Sequence, residues 1–170
     1  YSLDLTKYSG VMYVVAGSNI DGKAYIYKDP LGQLSANPNM QQGINQLLKV
    51  DQLSSVEFSP NAQYIVGENG QKFAVYDIEN KQNFNYVSPY PLDLPQTKAL
   101  WMDGNRLTYV SGGKTVVFDY DGINRHILVS SDSKFPAAFA PDYKFVYVAA
   151  PVTASGQNIT QTWLLAPQDR

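Results

Sequence analysis

The sequence predicts an all-β, propeller-like fold of about four antiparallel four-stranded blades, the last one incomplete, forming part of a larger propeller. Three observations carry this. A strand–turn–strand phrase with an aromatic residue just before its turn recurs about every 40 residues, the period of a propeller blade. Gly- and Asn-rich turns separate short apolar runs. Thirteen Tyr among 170 residues, with many β-branched residues, suit pleated and half-buried surfaces. The corresponding blades span roughly 1–52, 53–96, 97–134 and 135–170.

The repeat is clearest in its first two strands. Val56-Glu57-Phe58-Ser59-Pro60-Asn61 leads to Tyr64-Ile65-Val66-Gly67; Leu100-Trp101-Met102-Asp103-Gly104-Asn105 leads to Leu107-Thr108-Tyr109-Val110; Ala138-Phe139-Ala140-Pro141-Asp142 leads to Phe145-Val146-Tyr147-Val148. Phe58, Trp101 and Phe139 each precede their turn and are expected at equivalent, largely buried positions. Third strands follow at Phe73–Asp77 and Thr115–Asp119, after the turns Glu68-Asn69-Gly70-Gln71 and Ser111-Gly112-Gly113. Asn-Gly and Gly-Gly supply the positive φ angles that tight hairpins require. Fourth strands fall at Phe84–Val87 and His126–Val129.

The N-terminal unit follows the same plan. Leu3-Asp4-Leu5 is its first strand, Val11–Val15 its second and Ala24–Tyr27 its third, with a turn at Ser18–Gly22 and another at Asp29-Pro30-Leu31-Gly32. The fourth strand lies near Asn45–Val50. A short helix over Met40–Leu48 is the alternative, since Met40, Ile44, Leu47 and Leu48 have helical spacing, but Gly43 opposes it. The last unit has Gln161–Leu165 as its third strand and stops at Arg170 without a fourth.

Composition narrows the function. Apolar residues make up 44% and charged residues 16%, the latter below the usual share of about 25%. Net charge is -2, and Lys and Arg are scattered, with no basic run of the kind that displaces counterions from nucleic acid or binds anionic lipid. Cys is absent, so disulfides and cysteine metal sites are excluded. No stretch approaches the roughly 18 apolar residues of a membrane span. Tyr1 is neither an initiator Met nor part of a signal peptide, so the expectation is an excised part of a larger protein whose upstream blades complete the ring. Closure on itself and a second copy pairing through open blade edges are the alternatives.

Phe58-Ser59-Pro60-Asn61-Ala62-Gln63-Tyr64-Ile65 with Phe73-Ala74-Val75-Tyr76-Asp77 resembles WD-repeat-like propeller blades, as does Ala138–Val148. The Gly-His and Trp-Asp dipeptides of true WD repeats are missing, so their hydrogen-bond network is not implied. Trp101-Met102-Asp103-Gly104 and Phe118-Asp119-Tyr120-Asp121-Gly122 are similar to phrases in the region that follows the PEGA domain of bacterial surface proteins. That resemblance implies an exported, envelope-associated, extracellular protein.

Catalytic and metal signatures are weak. Asp119-Tyr120-Asp121-Gly122 has Gly too early for a calcium loop, and Ile123 and Arg125 stand where ligands belong, so it reads as a turn. His126 is the single histidine, with no recognisable nucleophile beside it, and no catalytic residue is assigned. Gly112-Gly113-Lys114-Thr115 precedes a strand rather than the helix a phosphate loop needs. Asn158-Ile159-Thr160 matches a glycosylation sequon that matters only in a eukaryotic secretory setting. Trp101 and Trp163 lie in apolar strands and read as core residues.

The expected function is therefore a non-enzymatic binding module, with no cofactor and no nucleic-acid partner. Its partner is a protein or a glycan, bound through the loops of one propeller face. The residues expected to make contact are Tyr90 in Pro89-Tyr90-Pro91, Phe135 before Pro136, and the turn asparagines Asn69 and Asn19. A fragment of a glycan-active propeller enzyme, or a carbohydrate-binding module, is the alternative. Glu57, Glu68, Glu79, His126 and turn-bound Asp are thin material for the enzyme reading.

Overall fold

A computed structural model describes residues 1–36, 43–151 and 158–164, with strand pairing alone given at 151 and 158–164. Four antiparallel sheets follow one another along the chain, each in simple up-and-down order. The first comprises β1 (Ser2–Tyr8), β2 (Val11–Ser18), β3 (Lys23–Lys28) and, after a helix α1 (Pro30–Ala36), β4 (Gln46–Lys49). The second is β5 (Ser55–Phe58), β6 (Tyr64–Glu68), β7 (Lys72–Asp77) and β8 (Gln82–Val87). The third is β9 (Leu100–Trp101), β10 (Arg106–Ser111), β11 (Lys114–Asp119) and β12 (His126–Ser130). The fourth has three described strands, β13 (Ala138–Phe139), β14 (Phe145–Pro151) and β15 (Asn158–Leu164).

Register confirms the repeat residue by residue. Phe58 opposes Ile65, Trp101 opposes Leu107, and Phe139 opposes Val146. The turn after each is built alike: the side chains of Asn61, Asp103 and Asp142 accept the backbone N–H two residues on, from Gln63, Asn105 and Lys144. Short polar side chains at this point give the backbone a local partner and so fix the reversal. At the opposite end of the third sheet, Gly112 and Gly113 take φ of 56° and 69°, which lets Ser111 and Lys114 pair directly.

The sheets stack face to face. Alternation along each strand sends one set of side chains to the preceding sheet and the other to the following one. Tyr13, Val15 and Ile26 of the first sheet meet Phe58, Ile65, Ala74 and Tyr76 of the second. Tyr64, Val66, Phe73 and Val75 meet Leu107, Tyr109, Val116 and Phe118 of the third. In this second seam Phe73 stacks on Tyr86 with ring centres 5.1 Å apart and takes Phe118 edge-on at 5.4 Å. The first strands also meet, for the Phe58 N–H donates to Asp4 Oδ2 at 2.8 Å.

Two expectations change and a third is settled. The segment 46–49 is strand, as favoured; residues 40–42 of the helical alternative lie outside the described set. A helix does form, but earlier, at Pro30–Ala36, where a plain turn was expected. Asp29 caps it by accepting the Gly32 N–H on Oδ1 at 3.2 Å, and Pro30 takes the first helical position, where no N–H is needed. Trp101 and Phe139 are half-buried rather than buried, because their strands are only two residues long. Phe58, on a four-residue strand covered by β1, is 6% exposed. Trp101 does pack against the second seam, whereas the side chain of Trp163, residue Leu165 and the sequon side chains lie outside the described set.

Candidate functional site

Up-and-down order places the turns between second and third strands, and the connections between sheets, at one end of every sheet. Hydrogen bonds lace these loops into a continuous platform. Val50 N–H donates to Gly22 O at 2.9 Å, Leu92 N–H to Gly70 O at 3.1 Å, Ser131 N–H to Gly113 O at 2.9 Å and Asp132 N–H to Ala149 O at 2.7 Å. Side chains complete the line: Asn69 Nδ2 donates to Asp51 O at 2.8 Å, and Gly113 N–H donates to Asp93 Oδ2 at 2.7 Å. Each sheet-to-sheet connection is thus held by its neighbour's hairpin.

The four residues expected to make contacts all fall on this face, but not in the same role. Asn69 is committed to structure. Its Oδ1 accepts the N–H groups of Gln71 and Lys72 at 3.1 and 2.7 Å, and its Nδ2 is spent on Asp51. Lys72 Nζ reaches Asp51 Oδ2 at 2.7 Å and holds that carboxyl below its usual value. Tyr90 is half-buried and packs its ring against the second seam. Its carbonyl accepts from the Tyr109 hydroxyl at 2.5 Å, which also bonds Ser88 Oγ at 2.6 Å, so the Pro89–Pro91 loop is anchored from below. Phe135 is 48% exposed, and Asn19 stands in an exposed turn beside Ile20, itself 79% exposed.

Sequence reasoning missed Leu94, which is 85% exposed on the connection into the third sheet. Ser133 Oγ donates to Leu94 O at 2.6 Å, tying this loop to the Asp132–Phe135 turn. Leu94 and Phe135 therefore project from two cross-linked loops. The signal was present, since Leu94 stands between Asp93 and Pro95 in a proline-rich connection where burial has little to offer.

The opposite end of the sheets carries an open depression of about 520 Å³ lined by Tyr64, Asp103, Asn105, Arg106, Asp119 and Tyr120. Its charges are already paired. Arg106 Nε and an Nη atom lie 2.7 and 2.6 Å from Asp103 Oδ2, and Asn124 Nδ2 donates to Asp119 Oδ2 at 2.6 Å. Asp121 accepts the Ile123 N–H, so the Asp119–Gly122 segment is a self-bonded turn. Among the described residues no group of three His, Cys, Asp or Glu could hold a metal ion. His126 is exposed on the outer strand β12. Among the described residues no helix is long and apolar enough to cross a membrane.

One carboxyl is unusual. Glu68 is 1% exposed in the second seam; Gly70 N–H donates to its Oε2, and its Oε1 lacks a close partner. Burial raises its pKa to about 7, against the pull of the Gly70 and Ala99 amides and then of Lys98. It lies within the seam and not on the loop platform.

Successive up-and-down four-stranded sheets, stacked face to face with a loop platform at one end, make an all-β, propeller-like fold. No protein-family model matches the chain, and no curated protein matches it. Among solved structures it is similar to the β-propeller domain of Cps50 (Swd1) from Myceliophteria thermophila, at 13% identity and a TM-score of 0.49, over 91% of this chain. The chain spans about half, 52%, of the length of that domain.

Proposed function

We propose that this chain is a non-enzymatic binding module that engages a protein partner through its loop platform. The observation that carries the reading is the pair Leu94 and Phe135, 85% and 48% exposed on loops cross-linked by Ser133. Apolar tips on pre-organised loops give up apolar surface to a partner at little entropic cost. Tyr90 supports the platform from beneath, and Asn19 with Ile20 extends its rim. The resemblance to the region following PEGA domains supports an exported, envelope-associated setting, which belongs to this proposal.

The test compares native chain with a Leu94→Asp/Phe135→Asp variant for binding to bacterial envelope proteins and to a glycan array. The expected result is saturable protein binding that the variant loses while its melting curve is unchanged. Glycan binding that survives the substitutions, or hydrolysis abolished by His126→Ala in a folded chain, overturns the reading.

A further inference from the structure

We infer that Asn69-Gly70 is a deamidation site that the fold holds shut, and that its conversion unties the connection between the first and second sheets from the loop platform. It is the single Asn-Gly pair in the sequence. Such a pair is open to attack from within the chain, because glycine puts no side chain beside its backbone nitrogen. Gly70 N bonds to Asn69 Cγ and closes a five-membered imide, while the Gly70 proton and the side-chain NH2 group leave together as ammonia. Water then opens the imide at either carbonyl and gives aspartate or isoaspartate. The turn itself demands this pair. Gly70 has a φ of 84°, which side chains rarely adopt, and a Cβ there would lie 3.2 Å from Leu92 Cβ. Asn69 is equally committed, since one side chain supplies both the acceptor for two N–H groups and the donor for Asp51 O.

In the closed turn the reacting groups are all engaged. Asn69 Oδ1 is held by the N–H groups of Gln71 and Lys72, and Nδ2 by Asp51 O. The Gly70 N–H donates to the buried Glu68 carboxyl, and Gly70 itself is buried, with its carbonyl accepting the Leu92 N–H at 3.1 Å. Attack requires the Gly70 nitrogen to give up Glu68 and the Asn69 side chain to leave its three bonds, so the reaction passes through local opening of the hairpin. The product does not restore what was lost. Aspartate and isoaspartate both lack the donor for Asp51 O and turn a carboxylate oxygen toward that carbonyl. Isoaspartate also carries the main chain through the side-chain carbon. It thereby adds a backbone atom inside the turn that Asn69 closes by donating its N–H to Lys72 O at 3.1 Å. The Lys72–Asp51 ion pair that remains is exposed, and exposed pairs contribute little.

The experiment ages the native chain at neutral pH in buffer and, in parallel, in enough urea to unfold it. Peptide mass spectrometry follows the exchange of amide for acid at residue 69. Deamidation in the folded chain is expected to be at least about tenfold slower, the factor that about 1.4 kcal/mol of opening energy gives. Aged folded chain is then separated by anion exchange, since the product carries one more negative charge, and its melting temperature is compared with that of the unmodified chain. The product is expected to melt lower and to be cut faster by protease in the connection after Asp51. Asn69→Asp removes the donor without lengthening the backbone and is also expected to melt below the native chain. A folded chain that deamidates as fast as the unfolded one, or faster, overturns the lock. An aged product and an Asn69→Asp variant that both melt with the native chain overturn the release.

Discussion

Glu68 offers a measurable link between burial and pH. It occupies the seam position that Val110 fills in the third sheet, where an uncharged side chain suffices. A carboxyl ordinarily near 4.5 and moved to about 7 by burial means the folded protein binds a proton that the unfolded chain has released. The stabilisation is fully present below pH 4.5 and is lost as pH rises through about 7. At about 1.4 kcal/mol per pKa unit the loss is about 3 kcal/mol. Glu68→Gln keeps the shape and an oxygen for the Gly70 N–H but cannot ionise. Urea unfolding of both chains should give similar stabilities at pH 4.5, with the glutamine variant gaining steadily to about 3 kcal/mol over the native chain at pH 8. A difference that does not change with pH, or that favours the native chain at pH 8, would refute the burial argument.

Other substitutions test other parts of the account. Phe73→Ala should cost about 3–5 kcal/mol in urea unfolding, because its ring is 2% exposed and packs on Tyr86, Tyr109 and Phe118. Gly122→Ala should cost about 1–3 kcal/mol, since φ is 82° and a Cβ would lie 2.6 Å from the Tyr86 ring; a neutral result would place that turn wrongly. Asn69→Ala should lower the melting temperature through a loss of about 1–2 kcal/mol, as three hydrogen bonds disappear. His126→Ala should leave stability within about 0.5 kcal/mol by the same assay, since the ring is exposed on an outer strand.

Local chemistry made the repeat legible. The Asx residue after Phe58, Trp101 and Phe139 bonds its own backbone, and Gly112-Gly113 dictates a tight reversal; both act within a few residues and leave a mark in sequence. The helix at Pro30–Ala36 was also encoded locally, by Asp29 and Pro30, but its few apolar residues made no convincing periodicity. On the loop face, Phe135 and Tyr90 could be picked out because proline fixes their loops. Asn69 could not be told from a contact residue, since the Asp51 carbonyl that takes up its Nδ2 lies 18 residues away and is joined to it only by the fold.

The sequence by itself determined the strands, their turns and the period-two alternation that gives every sheet two apolar faces. Those features arise from backbone sterics and from hydrogen bonds between near neighbours. The tertiary structure decided which faces are covered and which loops touch. Leu5 and Phe58 occupy the same place in their sheets and both are apolar, yet one is 60% exposed and the other 6%. Burial is a property of what packs against a residue, and no local pattern contains that partner. The same reason explains Leu94, exposed beside loops that hide Tyr90, and Glu68, a charged residue in a turn-like context that the stacking of two sheets removes from water.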